Sequence, residues 1–307
     1  MPHLIKKIAY ALADLPKAFR PTPHPRIVMT LLVKNEEDML AQNLEFHRSM
    51  GVDGFIVTDN NSSDRTPDII QQYQQRGWVL ESISERATDY DQKRWVDRMV
   101  WMAKTKYHAD WIINADADEF WVSPSGSLPS DLSGVRANVL RCEVRNMLPE
   151  EGQKWTAWRR SVRMVPNPEA YGLSRFSIYG RNVGKVLHRS AGYLQINMGN
   201  HKVKMFPYKK DDSPIVIYHF HVRSRQQFMQ KMINGGRQLE QHKGKHGGRH
   251  WRYFYSLYKE SEEALSAEYD RVVGYCALDQ LVRDGYVVTD CPLPDLFAAQ
   301  ANQEQFR

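Results

Sequence analysis

The run Ile27-Val28-Met29-Thr30-Leu31-Leu32-Val33 contains one hydroxyl and no charge. An unbroken apolar stretch of strand length suits a strand buried on both faces, the habit of parallel sheets covered by helices. The theme then repeats along the chain. Residues 39–50 show helical periodicity and stop at Gly51. Phe55-Ile56-Val57-Thr58 reads as a second strand, a helix starts near Pro67 and closes at Gly77, and Trp78-Val79-Leu80 reads as a third strand. Residues 90–106 read as a further helix that leads into Trp111-Ile112-Ile113. Strands alternating with helices in this way predict a parallel sheet with right-handed crossovers.

The strand at Trp111 runs into three carboxylates, Asp116, Asp118 and Glu119, before returning to Phe120 and Trp121. Acids at the end of a buried strand are costly unless a cation or hydrogen-bond donors meet them. Read as one extended segment, residues 116 and 118 point to the same side. Both would then face the crevice at the carboxyl end of the sheet, where open α/β folds bind ligands. Hard oxygen donors there suit Mg2+ or Mn2+, ions that commonly also hold substrate phosphates.

The 307 residues can bury a large core, as one large domain or two small ones. The formal charge of +6 is unevenly placed. Residues 1–26 carry five Lys or Arg against one Asp, and residues 201–260 carry thirteen against four acids. A regional excess points to an anionic partner: phosphates, an anionic membrane surface or nucleic acid. Residues 1–20 read as a basic amphipathic helix, with Leu4, Ile8, Leu12 and Leu15 at helical spacing. It lacks the long apolar core and cleavage site of a signal peptide or membrane span, and it is expected either to lie on a membrane surface or to pack on its own domain. Three widely spaced cysteines predict free thiols and a reducing, cytoplasmic compartment, at most at the inner membrane face.

Past Phe120 the pattern loosens. Val139–Val144 and Ile215–His221 read as strands, the second carrying His219 and His221 on one side. Ser224 suits the cap of a helix to about Gln241, His242–His250 reads as a mobile loop, and residues 251–285 read as helical and aromatic. Four regions are expected: residues 1–26 as helix and Pro linker, 27–125 and 126–230 as two halves of one domain, and 231–307 as a helical end.

Three motifs now stand in order at strand ends: Lys34-Asn35-Glu36-Glu37, Asp59-Asn60-Asn61-Ser62-Ser63-Asp64-Arg65-Thr66, and Asp116-Ala117-Asp118-Glu119-Phe120. Together they resemble GT-A glycosyltransferases of the family 2 type, nearest to a bacterial branch with an Asp-X-Asp-Glu-Phe motif related to family 92. The likeness covers residues 27–125 and extends more weakly to about 230, through Asn182-Val183-Gly184-Lys185-Val186 and Tyr218-His219-Phe220-His221. It implies a Rossmann-like α/β fold with a mostly parallel sheet flanked by helices and a C-terminal helical extension. It also implies a nucleotide-sugar donor bound by residues 27–125, a glycan or lipid-linked acceptor on the side of residues 126–230, Mn2+ or Mg2+, inversion at the sugar, and a role in bacterial surface polysaccharide. Residue by residue, Leu32, Lys34, Asn35 and Glu36 would line the base and ribose, with Asp59 bonded to them. Gln92 and Arg94 would sit near the donor. Asp118 would be the direct metal ligand, Asp116 nearer the ribose or a metal-bound water, and His221, in preference to His219, the third ligand.

The chemistry explains the parts. A departing nucleoside diphosphate is a polyanion, and cations stabilise that charge as it develops. Lys185, Lys202, Arg223 and Arg225 are candidate helpers. Inversion also needs a base for the acceptor hydroxyl. Glu143, Glu150, Glu151, Asp211 and Asp212 are candidates. Glu150 and Glu151 are preferred because they precede Trp155 and Trp158, rings suited to stacking on a sugar. His188 and His201 read as structural or phosphate-adjacent rather than catalytic.

Two other classes compete. A nucleotidyl- or phosphotransferase would want a Gly-rich phosphate loop after the first strand, and Lys34-Asn35-Glu36-Glu37 is not one. A basic module for membrane or nucleic acid would use the charge of residues 201–260 and the aromatics Trp251, Tyr253, Phe254 and Tyr255. It has no use for an acidic strand end, which disfavours nucleic acid as a partner.

Overall fold

The structure, a computed structural model, describes residues 2–86, 91–241 and 248–304. In chain order it runs α1 (Pro2–Ala13), β1 (Ile27–Val33), α2 (Leu40–Ser49), β2 (Gly54–Asp59), α3 (Thr66–Gln75), β3 (Val79–Ser84), α4 (Gln92–Thr105), β4 (Trp111–Ala115) and β5 (Glu119–Val122). There follow α5 (Leu128–Ser133), β6 (Val139–Asn146), β7 (Arg160–Val162), β8 (Lys185–Arg189), β9 (Tyr193–Ile196), β10 (Val203–Met205) and β11 (Lys210–His219). The chain ends with α6 (Arg225–Gln241), α7 (Arg249–Glu260), α8 (Glu262–Val273), α9 (Leu278–Arg283), β12 (Val287–Thr289) and α10 (Leu293–Glu304). These elements form two compact units, one of Met1–Val144 with Val183–Ile217 and one of Arg145–Asn182 with Tyr218–Arg307.

The first unit is built on an eight-stranded sheet ordered β3-β2-β1-β4-β8-β6-β11-β5. Its leading half is parallel, with β1 between β2 and β4, and β3 beside β2. The predicted βα alternation is therefore realised, and β1, β2 and β4 are buried nearly throughout, as their apolar composition requires. Beyond β4 the pairing turns antiparallel, β8 lying against both β4 and β6. One side is filled by Val96, Met99, Val100 and Ala103 of α4 against Val28, Ile56 and Ile112 of the sheet. The expected helix over 1–20 is shorter, giving way to a 3-10 turn at Leu15–Lys17 where Pro16 ends regular hydrogen bonding.

The second unit gathers α6, α7 and α8 around Phe228, Phe254, Leu265, Tyr269 and Val272. Ser224 caps α6 as expected, its Oγ accepting from the Gln227 N–H at 3.1 Å. Gly235 and Gly236 permit close approach of α7, since a Cβ there would meet the Trp251 ring at 2.8 Å and the Tyr255 Cβ at 2.2 Å. Phe254 is buried in the same core. Trp251 and Tyr253 pack against this core while remaining half-exposed. The predicted helical stretch 251–285 is broken at Ser261 and Gly274, because Ser261 caps α8 and Gly274 takes a left-handed φ of 77°. Most of the expected His242–His250 loop, residues 242–247, lies outside the described residues. Cys142, Cys276 and Cys291 are free thiols. Among the described residues no helix is long and apolar enough to cross a membrane.

Candidate active site

The Asp-X-Asp segment is a turn and not an extended strand. The Glu119 N–H donates to the Asp116 carbonyl at 3.1 Å, so the chain reverses between β4 and β5. The two-residue alternation invoked for residues 116 and 118 therefore does not apply. Asp116 is half-buried, while Asp118 is only 4% exposed. Placing two acids on four residues of turn, close to a third acid, demands neutralisation.

A buried lysine supplies it. Lys185 Nζ lies 2.7 Å from Asp116 Oδ2 and 2.5 Å from Glu119 Oε1, and Glu119 is fully buried. Burial alone would depress the Lys185 ammonium, but the two carboxylates outweigh it and hold the group above its ordinary value. The lysine was expected to serve phosphates; here its charge is taken up by the turn. The backbone brings it there. β8 is antiparallel to β4 with Leu187 opposite Ile113, so two places on Lys185 falls beside the end of β4. Gly184 has φ 78°, and a Cβ on it would meet the Cys142 carbonyl oxygen at 2.8 Å. Only glycine lets β8 start this close to β6.

Helix α2 also grips the turn. Asn43 Nδ2 donates to the carbonyls of Ala117 at 2.9 Å and Glu119 at 2.8 Å. His47 Nε2 accepts from the Trp121 N–H at 3.0 Å, while its Nδ1 donates to the Asn43 carbonyl at 2.9 Å. Burial pushes the His47 pKa down to about 3, against a small upward pull from that carbonyl, so the ring is neutral and able to accept. Nothing in the periodicity singled out Asn43 or His47; two polar residues four apart on an otherwise buried helix face were the available signal. Below the turn, Thr30 Oγ1 donates to Asn114 Oδ1 at 2.7 Å, and Asn114 Nδ2 donates to His188 Nε2 at 3.1 Å. His188 is buried and structural, as expected, its pKa pushed down to about 4 by burial despite its bond to the Arg189 carbonyl. His201 Nδ1 donates to the Gly184 carbonyl at 2.6 Å.

The loops after β1 and β2 are knitted to each other. Asn35 N–H donates to Ser62 Oγ at 2.9 Å and Ser63 N–H returns to Asn35 Oδ1 at 2.8 Å. Glu36 N–H donates to Thr66 Oγ1, and Arg65 N–H to Glu37 Oε2, both at 2.9 Å. Asp59, 8% exposed, accepts from the Ser62 hydroxyl at 2.5 Å and its N–H at 3.2 Å. Leu32 is half-buried and Lys34 exposed. Gln92 and Arg94 stand in the first turn of α4, where the Arg94 N–H is capped by Asp91 Oδ1 at 3.2 Å.

In the second unit, Glu150 Oε1 accepts from the N–H groups of Arg159 at 3.0 Å and Arg160 at 3.3 Å, while Glu151 is exposed. Trp158 is buried and stacks on Phe220 at 5.9 Å, and Trp155 meets the same ring at 5.3 Å. Trp158 is a packing residue, which corrects the sugar-stacking expectation for it. His219 and His221 stack at 4.8 Å, on one side as their spacing predicts. Among the described residues, no three His, Cys, Asp or Glu side chains gather to hold a metal ion. Two hard oxygen donors nonetheless fit an ion that keeps its waters and takes the rest of its shell from substrate phosphates.

The glycosyltransferase family 92 profile matches residues 28–263, more than three quarters of the chain. The chain belongs to glycosyltransferase family 92. It is a glycosyltransferase, and its architecture is α/β, with a sheet whose leading half is parallel and flanked by helices. No curated protein matches it. Among solved structures, it is similar to the mannosyltransferase PcManGT from Pyrobaculum calidifontis in complex with GDP-Man and Mn2+, at 11% identity over 99% of this chain and 89% of that one, with TM-score 0.41. S. aureus TarS 1-349 is similar at 9% identity over 85% and 92%, TM-score 0.41. Glucosyl-3-phosphoglycerate synthase from Mycobacterium tuberculosis, bound to Mn2+, UDP and glucosyl-3-phosphoglycerate, matches at 18% identity over 39% and 44%, TM-score 0.29.

Proposed function

We propose that this family 92 enzyme transfers a sugar from a nucleoside diphosphate to a glycan or lipid-linked acceptor, with inversion, in building a bacterial surface polysaccharide. The observation that supports this reading is the buried Asp118 carboxylate on a turn fixed by Lys185, Asn43 and His47. A fold does not commit a buried ion pair and two buried hydrogen-bonding side chains to an acidic turn without a stability cost. In this reading Asp118 and Asp116 would hold Mn2+ or Mg2+, the ion taking the rest of its shell from waters and substrate phosphates. When bound, the ion would stabilise the diphosphate as it leaves. Leu32, Lys34, Asn35, Glu36 and Asp59 hold the nucleoside, and Gln92 and Arg94 lie at the donor.

Of the two favoured acids, Glu150 is bound to backbone N–H groups. Glu150 and Glu151 remain the proposed general bases, one of them taking the acceptor hydroxyl's proton as the anomeric carbon is attacked and the nucleoside diphosphate leaves. The decisive experiment pairs binding with turnover. Nucleoside diphosphates with Mn2+ should raise the melting temperature of the wild type. Asp118→Asn should abolish that metal-dependent rise and cut sugar transfer by ~100-fold or more. A variant that folds, binds and turns over normally would remove Asp118 from the site.

A further inference from the structure

Large apolar side chains that stand exposed are concentrated in two segments of the first unit. Ile5, 67% exposed, and Ile8 and Leu12 lie along one stripe of α1, and Leu15 and Phe19 continue the spacing beyond it. In and beside the β9–β10 hairpin, Met198 is 62% exposed, Tyr208 56% and Phe206 nearly half. Patches of this kind mark interaction surfaces.

The helix is not free to roll its apolar stripe inward. Its other side is already docked: Ala11 is buried, and Lys7 Nζ sits 2.6 Å from Asp97 Oδ2 and 3.2 Å from the Leu194 carbonyl. Lys7 also lies 5.3 Å over the Trp101 ring. At the far end Asp14 pairs with the buried Lys104. The two segments are joined there. Asp14 Oδ2 accepts the Gly192 N–H at 3.4 Å, and the Gly192 carbonyl accepts from the Phe206 N–H at 2.8 Å.

Charge selects the occupant. Val203 and Met205 are buried while Lys202, Lys204 and Phe206 are exposed, the alternation a half-buried strand imposes. Lys17, Arg20, Lys209 and Lys210 are exposed on the same two segments. Residues 190–210 contain no acid, and the only acid in residues 1–26 is Asp14, which Lys104 holds. A second copy of this chain would set lysine against lysine. An anionic bilayer offers both a hydrocarbon boundary for the stripe and negative headgroups for the cations.

We propose that α1 and the β9–β10 hairpin form one surface that seats the protein on an anionic lipid bilayer. The surface does not depend on the sugar-transfer reading, and vesicle binding tests it without reference to activity. The full chain is floated with vesicles of phosphatidylcholine alone and of phosphatidylcholine and phosphatidylglycerol in equal parts. Binding to the second only, weakening as salt rises, is expected. Ile8→Glu/Leu12→Glu should reduce binding at least ~10-fold with an unchanged melting temperature, because both side chains are exposed and the apolar stripe supplies the insertion. Should that pair unfold the helix, Lys204→Glu/Lys209→Glu, on the other segment, should still weaken binding several-fold through charge alone. Equal binding by both double variants, or no binding by the wild type, overturns the proposal. A wild type that dimerises without lipid, and whose dimer Leu12→Glu breaks, assigns the face to a second copy instead.

Discussion

The two acidic strand ends of the first unit are stabilised by opposite means. After β2, Asp59 and the residues up to Thr66 are held by neutral donors: backbone N–H groups and hydroxyls exchanged with the loop after β1. After β4, Asp116 and Glu119 are held by one buried ammonium, and their backbone by a buried amide and a buried neutral imidazole. The first arrangement is partly exposed and built from many small terms. The second is buried and leans on a few large ones. Each end can therefore yield in its own way. A knit of N–H bonds can lose one strand and re-form with water, whereas a charge left alone in the interior has no substitute.

The largest expected effect breaks the ionic side of this contrast. Lys185→Met should cost about 3–5 kcal/mol, read as a lower denaturant midpoint, because it strands Glu119 with Asp116. Adding Glu119→Gln should recover part of the loss; a double variant no more stable than the single would show that charge is not what holds the turn. Acid should act on the same end. The His47 ring is neutral when folded, with its pKa lowered to about 3, whereas the unfolded ring takes up a proton near 6.5. Stability from this group is therefore complete above about pH 6.5 and drains away as pH falls toward 3. Its share is on the order of 5 kcal/mol. His47→Gln, which can still donate and accept, should flatten the pH dependence of chemical denaturation across that window. A profile identical to the wild type would detach the imidazole from acid sensitivity.

Smaller changes sharpen the comparison. Asn43→Ala removes the donor to two carbonyls and should cost about 2 kcal/mol, with faster amide exchange at residues 119–121 than in the loop at 59–66. Ser62→Ala removes one hydroxyl from the neutral knit and should cost about 1 kcal/mol or less. Were Ser62→Ala to cost as much as Lys185→Met, the distinction between the two ends would vanish.

Much of this was legible beforehand. The seven-residue run at Ile27 and its successors announced buried parallel strands, and the acids at 59, 116, 118 and 119 marked where those strands end. Reading 111–121 as one extended strand failed because a single hydrogen bond, Glu119 N–H to the Asp116 carbonyl, decides for a turn, and composition does not report it. Trp158 looked like a sugar platform because an aromatic residue in a polar stretch suits a ligand as well as a core. Burial, which separates the two, is a property of what folds over the ring.

Residue order alone settled the α/β succession, the places where acids interrupt apolar strands, and the family, since periodicity and motif are written along the chain. It took the folded molecule to show that Lys185 neutralises Asp116 and Glu119, that Asn43 and His47 clamp the turn, and that α1 keeps an apolar stripe outward. The partnerships at the turn join residues tens of positions apart, and a carboxylate's state depends on what lies within a few ångströms of it in space. Local pattern carries no record of that distance.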